Sequence, residues 1–162
     1  MKYVYRSLEE KDLSAISTFP QSEEELKYIS PAFIYPLTPN QIVDLLKDRL
    51  EPTVIIEQAT EEVIAYANIY GYDLAKSICW LGNVIVSPKY RGHGASAYLL
   101  NVMFEKAKHH LAVKTMRLAC HNTNSRGLAF YSKHGFKPYD LKIVNIDDKR
   151  IISIHMSREL TK

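Results

Sequence analysis

Six residues just past the middle of the chain, Gly92-His93-Gly94-Ala95-Ser96-Ala97, are small with one exception and follow the strand-like run Asn83-Val84-Ile85-Val86. The chemistry open to them is the holding of an anion. A strand that turns through such a loop into a helix aims several backbone N–H groups, and the positive end of a helix dipole, into one small volume. A pyrophosphate is the commonest biological ligand for that arrangement. Gly92, Gly94, Ala95 and Ser96 suit it because longer side chains would hold phosphate oxygens away from the amides. Lys89, Arg91 and His93 add local basic charge, which a solvated turn explains nearly as well.

Two cofactor classes use such a junction. Gly92-His93-Gly94-Ala95-Ser96-Ala97 matches the dinucleotide pattern G-x-G-x-x-A, but that pattern normally follows the first strand of its fold, with an acidic residue about 20 residues on. Here the turn comes late, and residues 114–121 hold no Asp or Glu. The dinucleotide reading fails on context. Read instead as Arg91-x-x-Gly94-x-Ser96, the loop resembles the Q/R-x-x-G-x-G/A signature of the GNAT superfamily of acetyl-coenzyme A-dependent N-acetyltransferases, with Ser96 in place of the usual last Gly or Ala. A second block, Asn124-Ser125-Arg126-Gly127-Leu128-Ala129-Phe130-Tyr131-Ser132-Lys133-His134-Gly135-Phe136, looks like the N-x-x-x-x-x-x-Y-x-x-x-G-F segment of the same family. The resemblance is strong over residues 81–139 and rests elsewhere on element order.

The resemblance implies acetyl-coenzyme A as co-substrate, without a metal, and transfer of its acetyl group to a primary amine of a small molecule or peptide by direct attack on the thioester. It assigns the grip on the cofactor to Val84, Ile85, Val86, Arg91, Gly92, His93, Gly94, Ala95, Ser96, Ala97 and Asn124. Val84, Ile85 and Val86 occupy a strand that splays from its parallel neighbour, leaving backbone groups for the pantetheine arm and one N–H for the oxyanion. Tyr131 takes the place of the general acid, since a phenol of pKa ~10 stays protonated at neutral pH. Asn124 caps its helix by itself and also sits where the family meets pantetheine.

The base is less defined. Family members often place a Glu on one of two strands that here read Arg117-Leu118-Ala119-Cys120-His121 and Trp80-Leu81-Gly82-Asn83, with no carboxylate in either. His121 has the intrinsic pKa for the role. Asp73, Glu23, Glu24 and Glu25 could act through water, and deprotonation by water without one essential base stays open. For the acceptor, the resemblance points to the early helices and their loop, with Phe33 and Tyr35 as lining beside Phe19, Pro20, Tyr28 and Pro36.

Those groups need elements to carry them. Residues 2–6 alternate as a short strand. Ser7-Leu8-Glu9-Glu10 has capping-box spacing and should open a helix carrying Leu13 and Ile16 inward. Ser22 to Glu25 repeats that spacing before Leu26 and Ile29. Thr38-Pro39 opens a third helix, with Pro where its missing N–H costs nothing, running to about Leu50. Between them, residues 31–37 form an aromatic, Pro-stiffened loop. Residues 53–58, 63–72 and 78–86 read as strands, the last two joined as an antiparallel hairpin. Residues 96–110 form the strongest helix, with Leu99, Leu100, Met103, Phe104 and Ala107 at core spacing. A strand (114–121), a helix (125–134) stopped by Gly135 and a final strand (150–156) complete the order. It predicts an α+β fold with a mixed, mostly antiparallel central sheet and helices on both faces, as the resemblance also implies, in a single domain over residues 1–162.

Composition narrows the partners. At 46% hydrophobic and 24% charged residues the chain is an ordinary globular one. A net charge of +3 is too small to argue for nucleic acid. Cys79 and Cys120 lack metal or redox spacing and sit in apolar contexts, so reduced buried thiols and a cytoplasmic location are expected. No apolar run approaches the ~20 residues of a membrane helix, and the start lacks a signal-peptide hydrophobic region, so no membrane partner is expected. Monomer and homodimer both stay open. The rival to an enzyme is a non-catalytic acetyl-coenzyme A-binding sensor or interaction module, favoured by the missing carboxylate and disfavoured by Tyr131.

Overall fold

The structure, a computed structural model, describes residues 1–160, so the last two residues of the expected 1–162 domain lie outside the described residues. Strand β1 (Tyr3–Ser7) leads through a 3-10 turn at Glu10–Asp12 into α1 (Leu13–Ser17), then α2 (Glu23–Ile29) and α3 (Pro39–Leu46). Three strands follow, β2 (Leu50–Glu57), β3 (Glu62–Asp73) and β4 (Ile78–Val86). After them come α4 (Ala95–His109), β5 (Thr115–His121), α5 (Ser125–Lys133), β6 (Lys137–Ile146) and β7 (Lys149–Glu159). The strands form one sheet in the order β1-β2-β3-β4-β5-β7-β6, in which only β4 and β5 run parallel.

Period-two alternation sends neighbouring side chains of the central strands to opposite faces, and each face has its own core. Ile55, Ala65, Ala67 and Ile69 pack with Leu99, Leu100 and Met103 of α4 on one side. Val54, Ile56, Tyr66 and Ile85 pack with Leu13, Ile16, Leu26 and Ile42 of α1–α3 on the other. The expected mixed sheet covered on both faces is therefore present. Among the described residues, no helix is long and apolar enough to cross a membrane. Cys79 and Cys120 are buried free thiols, and burial pushes them up to about 12 and about 11.

Three elements differ from the sequence reading. Ser7 ends β1 instead of capping a helix. The reciprocal bond forms two residues later, where the buried Asp12 carboxylate accepts from the Glu9 N–H at 2.8 Å and from both ends of the Arg6 guanidinium at 2.7 and 2.8 Å. Helix α3 stops at Leu46, and Leu50 opens β2: Pro52 biases the residue before it away from helical geometry, and Glu51 sits at φ 50°. Strand β6 has no counterpart among the elements expected from the sequence. It pairs with β7 through a two-residue turn at Asp147-Asp148, both in the left-handed region that tight hairpins demand.

Two irregularities shape the middle of the sheet. Ladder pairing between β4 and β5 covers only Ile78–Thr115, Cys79–Met116 and Trp80–Arg117. Past those pairs the parallel strands part, so the backbone of residues 81–86 has a strand partner on the β3 side alone. On that side, the register slips by one residue between Tyr66–Ile85 and Asn68–Gly82. Asn83, at φ 55°, marks the resulting bulge.

Candidate active site

Where β4 ends, Pro88–Tyr90 form a 3-10 turn and the chain enters α4 through two glycines in the left-handed region, Gly92 at φ 81° and Gly94 at φ 84°. A Cβ built on either would meet no protein atom within 4 Å, so backbone geometry, not crowding by the protein, calls for glycine there. Gly94 is the N-cap of α4 and carries no side chain to satisfy the first turn. The amides of residues 92–97 donate to no acceptor among the described residues, and the first bond of the new helix runs from the Tyr98 N–H to the Gly94 carbonyl. A row of unsatisfied donors at the positive end of a 15-residue helix is an anion cradle. It fits a pyrophosphate.

Arg91 lines the cavity beside Gly92 and Ser96, and its guanidinium is held by the protein, donating to the Val86 carbonyl at 3.0 Å and the Phe19 carbonyl at 3.3 Å and pairing with both oxygens of Glu25. The side chain thus ties the loop to α2 and closes the last carbonyl of β4. Glu25 is committed to it. His93 is exposed and offers its backbone carbonyl to the Tyr3 hydroxyl. Ala95 is buried against the core, and Ala97 is half-buried in the first turn.

The gap between β4 and β5 holds two cavities that meet. One, about 490 Å³, is lined by Val84, Ile85 and Val86, by Gly92 and Ser96 of the cradle, and by Asn124 and Tyr131. The other, about 310 Å³, lies toward β3 and the β6–β7 hairpin. Tyr28, Ile29, Val84 and Tyr131 line both. Tyr131 packs edge-on against Phe130 at 5.4 Å and Phe136 at 5.8 Å, yet its hydroxyl has no hydrogen-bond partner among the described residues. Burial, with a smaller push from the Cys120 thiol, holds that phenol well above its ordinary pKa. Asn124 caps α5 by accepting from the Gly127 N–H at 3.0 Å, which leaves its amide group over for the cavity.

His121 lies at the end of β5, edge-on to Tyr28 at 5.8 Å, and burial pulls its pKa below the ordinary imidazole value. It lines the smaller cavity and also a third one of about 230 Å³, whose mouth carries Glu23, Glu24 and Asp147. Asp73 is on the far end of β3 and lines none of these cavities.

Phe33 and Tyr35 are not at these cavities, which corrects the reading of both as acceptor lining. Phe33 is drawn into the α1–α3 core at 3% exposure, because the Pro-stiffened loop must cover that core. Tyr35 is left on the outer surface. The smaller cavity instead gathers residues that the sequence did not single out. The Arg49 guanidinium lies 4.2 Å from the centre of the Tyr70 ring and donates to Asn68 Oδ1 at 3.1 Å. Asn68 in turn donates to Asn83 Oδ1 and to the Tyr66 hydroxyl, each at 2.8 Å, and Asn83 donates to the Ile29 carbonyl at 3.1 Å. One local signal existed: Gly82-Asn83 inside a strand pattern marks a bulge. Nothing local in Leu46 to Leu50 would have tied Arg49 to it.

The family model described as "Acetyltransferase (GNAT) family" matches residues 14–136. No curated protein sequence matches the chain. Among solved structures, spermidine N-acetyltransferase from Vibrio cholerae in complex with CoA and spermine superposes with a TM-score of 0.80 at 16% identity, over 98% of this chain and 95% of that one. An N-acetyltransferase from Staphylococcus aureus Mu50 does so at 0.77 and 16%, over 99% and 100%. The ribosomal-protein-S18-alanine N-acetyltransferase from Escherichia coli does so at 0.73 and 20%, over 99% and 96%. At such identities the superpositions speak for a shared fold. The family match spans most of the chain and includes both the cradle and the Tyr131 helix, and on it this chain belongs to the acetyltransferase (GNAT) family and is an acyltransferase.

Proposed function

We propose that the chain is a cytoplasmic, single-domain N-acetyltransferase that moves the acetyl group of acetyl-coenzyme A to a primary amine of a small molecule or peptide by direct attack on the thioester. The observation that carries this reading is the meeting of the two cavities at Val84 and Tyr131, one leading from the anion cradle and the other from the direction of β3 and the β6–β7 hairpin. Acetyl-coenzyme A supplies an acyl group already activated on sulfur.

The residues then divide the work. The amides of residues 92–97 hold the pyrophosphate, and the backbone of Val84, Ile85 and Val86 on the side away from β3, where Arg91 already holds the Val86 carbonyl, lines up the pantetheine arm together with Asn124. A backbone N–H at the bulge faces the acetyl oxygen as charge grows on it, a donor that no side-chain substitution removes. The amine nitrogen bonds to the acetyl carbon while the carbon–sulfur bond breaks. Tyr131 gives its proton to the departing sulfur, its raised pKa suiting a donor that stays protonated, and the surplus proton shed by the new amide nitrogen restores the phenol, directly or through water. The acceptor must lose a proton first, since an ammonium has no lone pair. His121 takes it directly, kept neutral by burial, or relays it through water toward the cavity bearing Glu23, Glu24 and Asp147.

Release of free thiol from acetyl-coenzyme A, measured against a panel of amines beside a binding titration, tests the reading. Amine-dependent release supports it. Tight binding of acetyl-coenzyme A with no release on any amine would favour a binding module instead, and no binding would remove the cradle from the argument.

A further inference from the structure

The smaller of the two meeting cavities contains a cation and no carboxylate. Arg49 lines it, and no Asp or Glu does. Arg49 forms no ion pair with any described residue. Its side chain makes a single hydrogen bond among the described residues, to Asn68 Oδ1, so most of its guanidinium N–H donors are uncommitted. A half-buried guanidinium without a counter-charge is costly to keep unless something else meets it.

The group is also held in place. Asn68, itself buried, is fixed by its bonds to Asn83 and Tyr66, which aim its oxygen at Arg49. The Tyr70 ring supports one face of the guanidinium. Gly82 makes room for it: a Cβ there would collide with Arg49 Nη1 and stand 2.8 Å from Asn68 Oδ1 and 2.9 Å from the Tyr70 ring. Gly82 is two residues from Val84, which spans at most about 6–7 Å of extended strand and less where the bulge at Asn83 intervenes. Arginine recognises planar or tetrahedral oxyanions by paired N–H bonds.

We propose that the acceptor is a small amine that also carries an anionic group, a carboxylate or a phosphonate, bound by Arg49 while the amine lies at Val84 and Tyr131. This rests on the acetyl-transfer reading above and narrows its substrate class. The reach from Gly82 to Val84 leaves only a short tether between amine and anion, as in an α- or β-amino acid. A cavity of about 310 Å³ is at the small end for ligand sites, which suits such a molecule. The smaller cavity itself offers a polyamine no counter-charge: Glu23 and Asp147 line the cavity beyond His121, with Asp147 3.7 Å from Lys27, Glu24 lines that one and the larger, cradle-side cavity, and Glu25 there is paired with Arg91.

The test compares matched acceptors on the full chain: a panel of amino acids, the amines made by removing the acid group from each, aminophosphonates, and spermidine. Thiol release and binding to the acetyl-coenzyme A-saturated protein are read for the parent, Arg49→Gln and Arg49→Lys. The best acid-bearing amine is expected to exceed its decarboxylated partner by roughly 10- to 100-fold in kcat/KM. Arg49→Gln should erase that ratio, mainly through KM, and Arg49→Lys should keep part of it, showing that the fold survives. Carboxylate-bearing and phosphonate-bearing arms tell which anion fits. Turnover of spermidine or the decarboxylated amines equal to that of the acids overturns this inference and leaves acetyl transfer standing. Arg49-dependent binding of an acid-bearing amine without thiol release would uphold the anion site and overturn acetyl transfer. Neither turnover nor binding of any acid-bearing amine overturns the site.

Discussion

Replacing Tyr131 with Phe should separate function from stability in opposite directions. The ring is held by Phe130 and Phe136, and those contacts survive the change. The hydroxyl has no partner among the described residues and belongs to a ring at the meeting of the two cavities, where burial raises its pKa. Deleting an unpaired polar group from such a place removes a desolvation cost and breaks no bond. Folding stability should therefore stay level or rise by up to about 1 kcal/mol, which is roughly 2–4 °C in Tm for a chain of this size. Turnover should fall by about 10²- to 10⁴-fold, the usual worth of a positioned proton donor, with binding of acetyl-coenzyme A unchanged. Thermal unfolding, a binding titration and steady-state thiol release measure the three quantities. Because the phenol's pKa is raised, the parent should also show no alkaline loss of kcat from this group up to about pH 10. A kcat within about threefold of the parent would refute the proton-donor role. A Tm several degrees lower would show instead that the hydroxyl is structural.

Three further outcomes follow from the same geometry. If His121 is the base, kcat/KM should rise with pH along a limb centred below 6.5, and His121→Gln should abolish that limb. The same depressed pKa lets the unfolded chain bind the proton first, so stability should fall as pH drops from about 6.5 to the folded value and then level, which acid-dependent unfolding checks. Gly94→Ala places a Cβ at φ 84°, which should cost about 1–2 kcal/mol of stability by denaturant titration. Its Cβ meets no protein atom, so a much larger loss in acetyl-coenzyme A affinity would locate the ligand there. Arg91→Ala removes the bonds to Val86, Phe19 and Glu25. It should destabilise by about 1–3 kcal/mol, with a coupling of about 0.5–2 kcal/mol to Glu25→Ala in a double-mutant cycle, moderate because both groups are about a third exposed. A coupling near zero would mean that the pair is decorative.

What could be read in the chain followed from local pattern. The 3.6-residue spacing of Leu99, Leu100 and Met103, the Ser22 cap, Pro39 at a helix start and the alternation of β3 and β4 each involve neighbours along the chain. The glycine loop was legible for the same reason, since φ preference belongs to one residue at a time. Strand β6 was missed although Tyr139, Leu141 and Ile143 alternate, because its turn, Asp147-Asp148, contains no glycine. The early end of α3 was written in Pro52, and periodicity at Leu50 obscured it.

The sequence by itself determined the glycine loop, the Tyr131 helix and the order of the strands and helices other than β6, because each depends on a few consecutive residues. Tertiary structure alone decided which residues line the cavities. Phe33 and Tyr35 are apolar and near the right helices, yet the loop spends one on the core and leaves the other at the surface. Arg49 comes from the turn between α3 and β2, Asn68 from one strand and Asn83 from the next, and only the register of β3 against the bulged β4 brings the three together. The parting of β4 from β5 is likewise a relation between distant segments. No window along the chain contains it, because the groups that define it meet only after the sheet has closed.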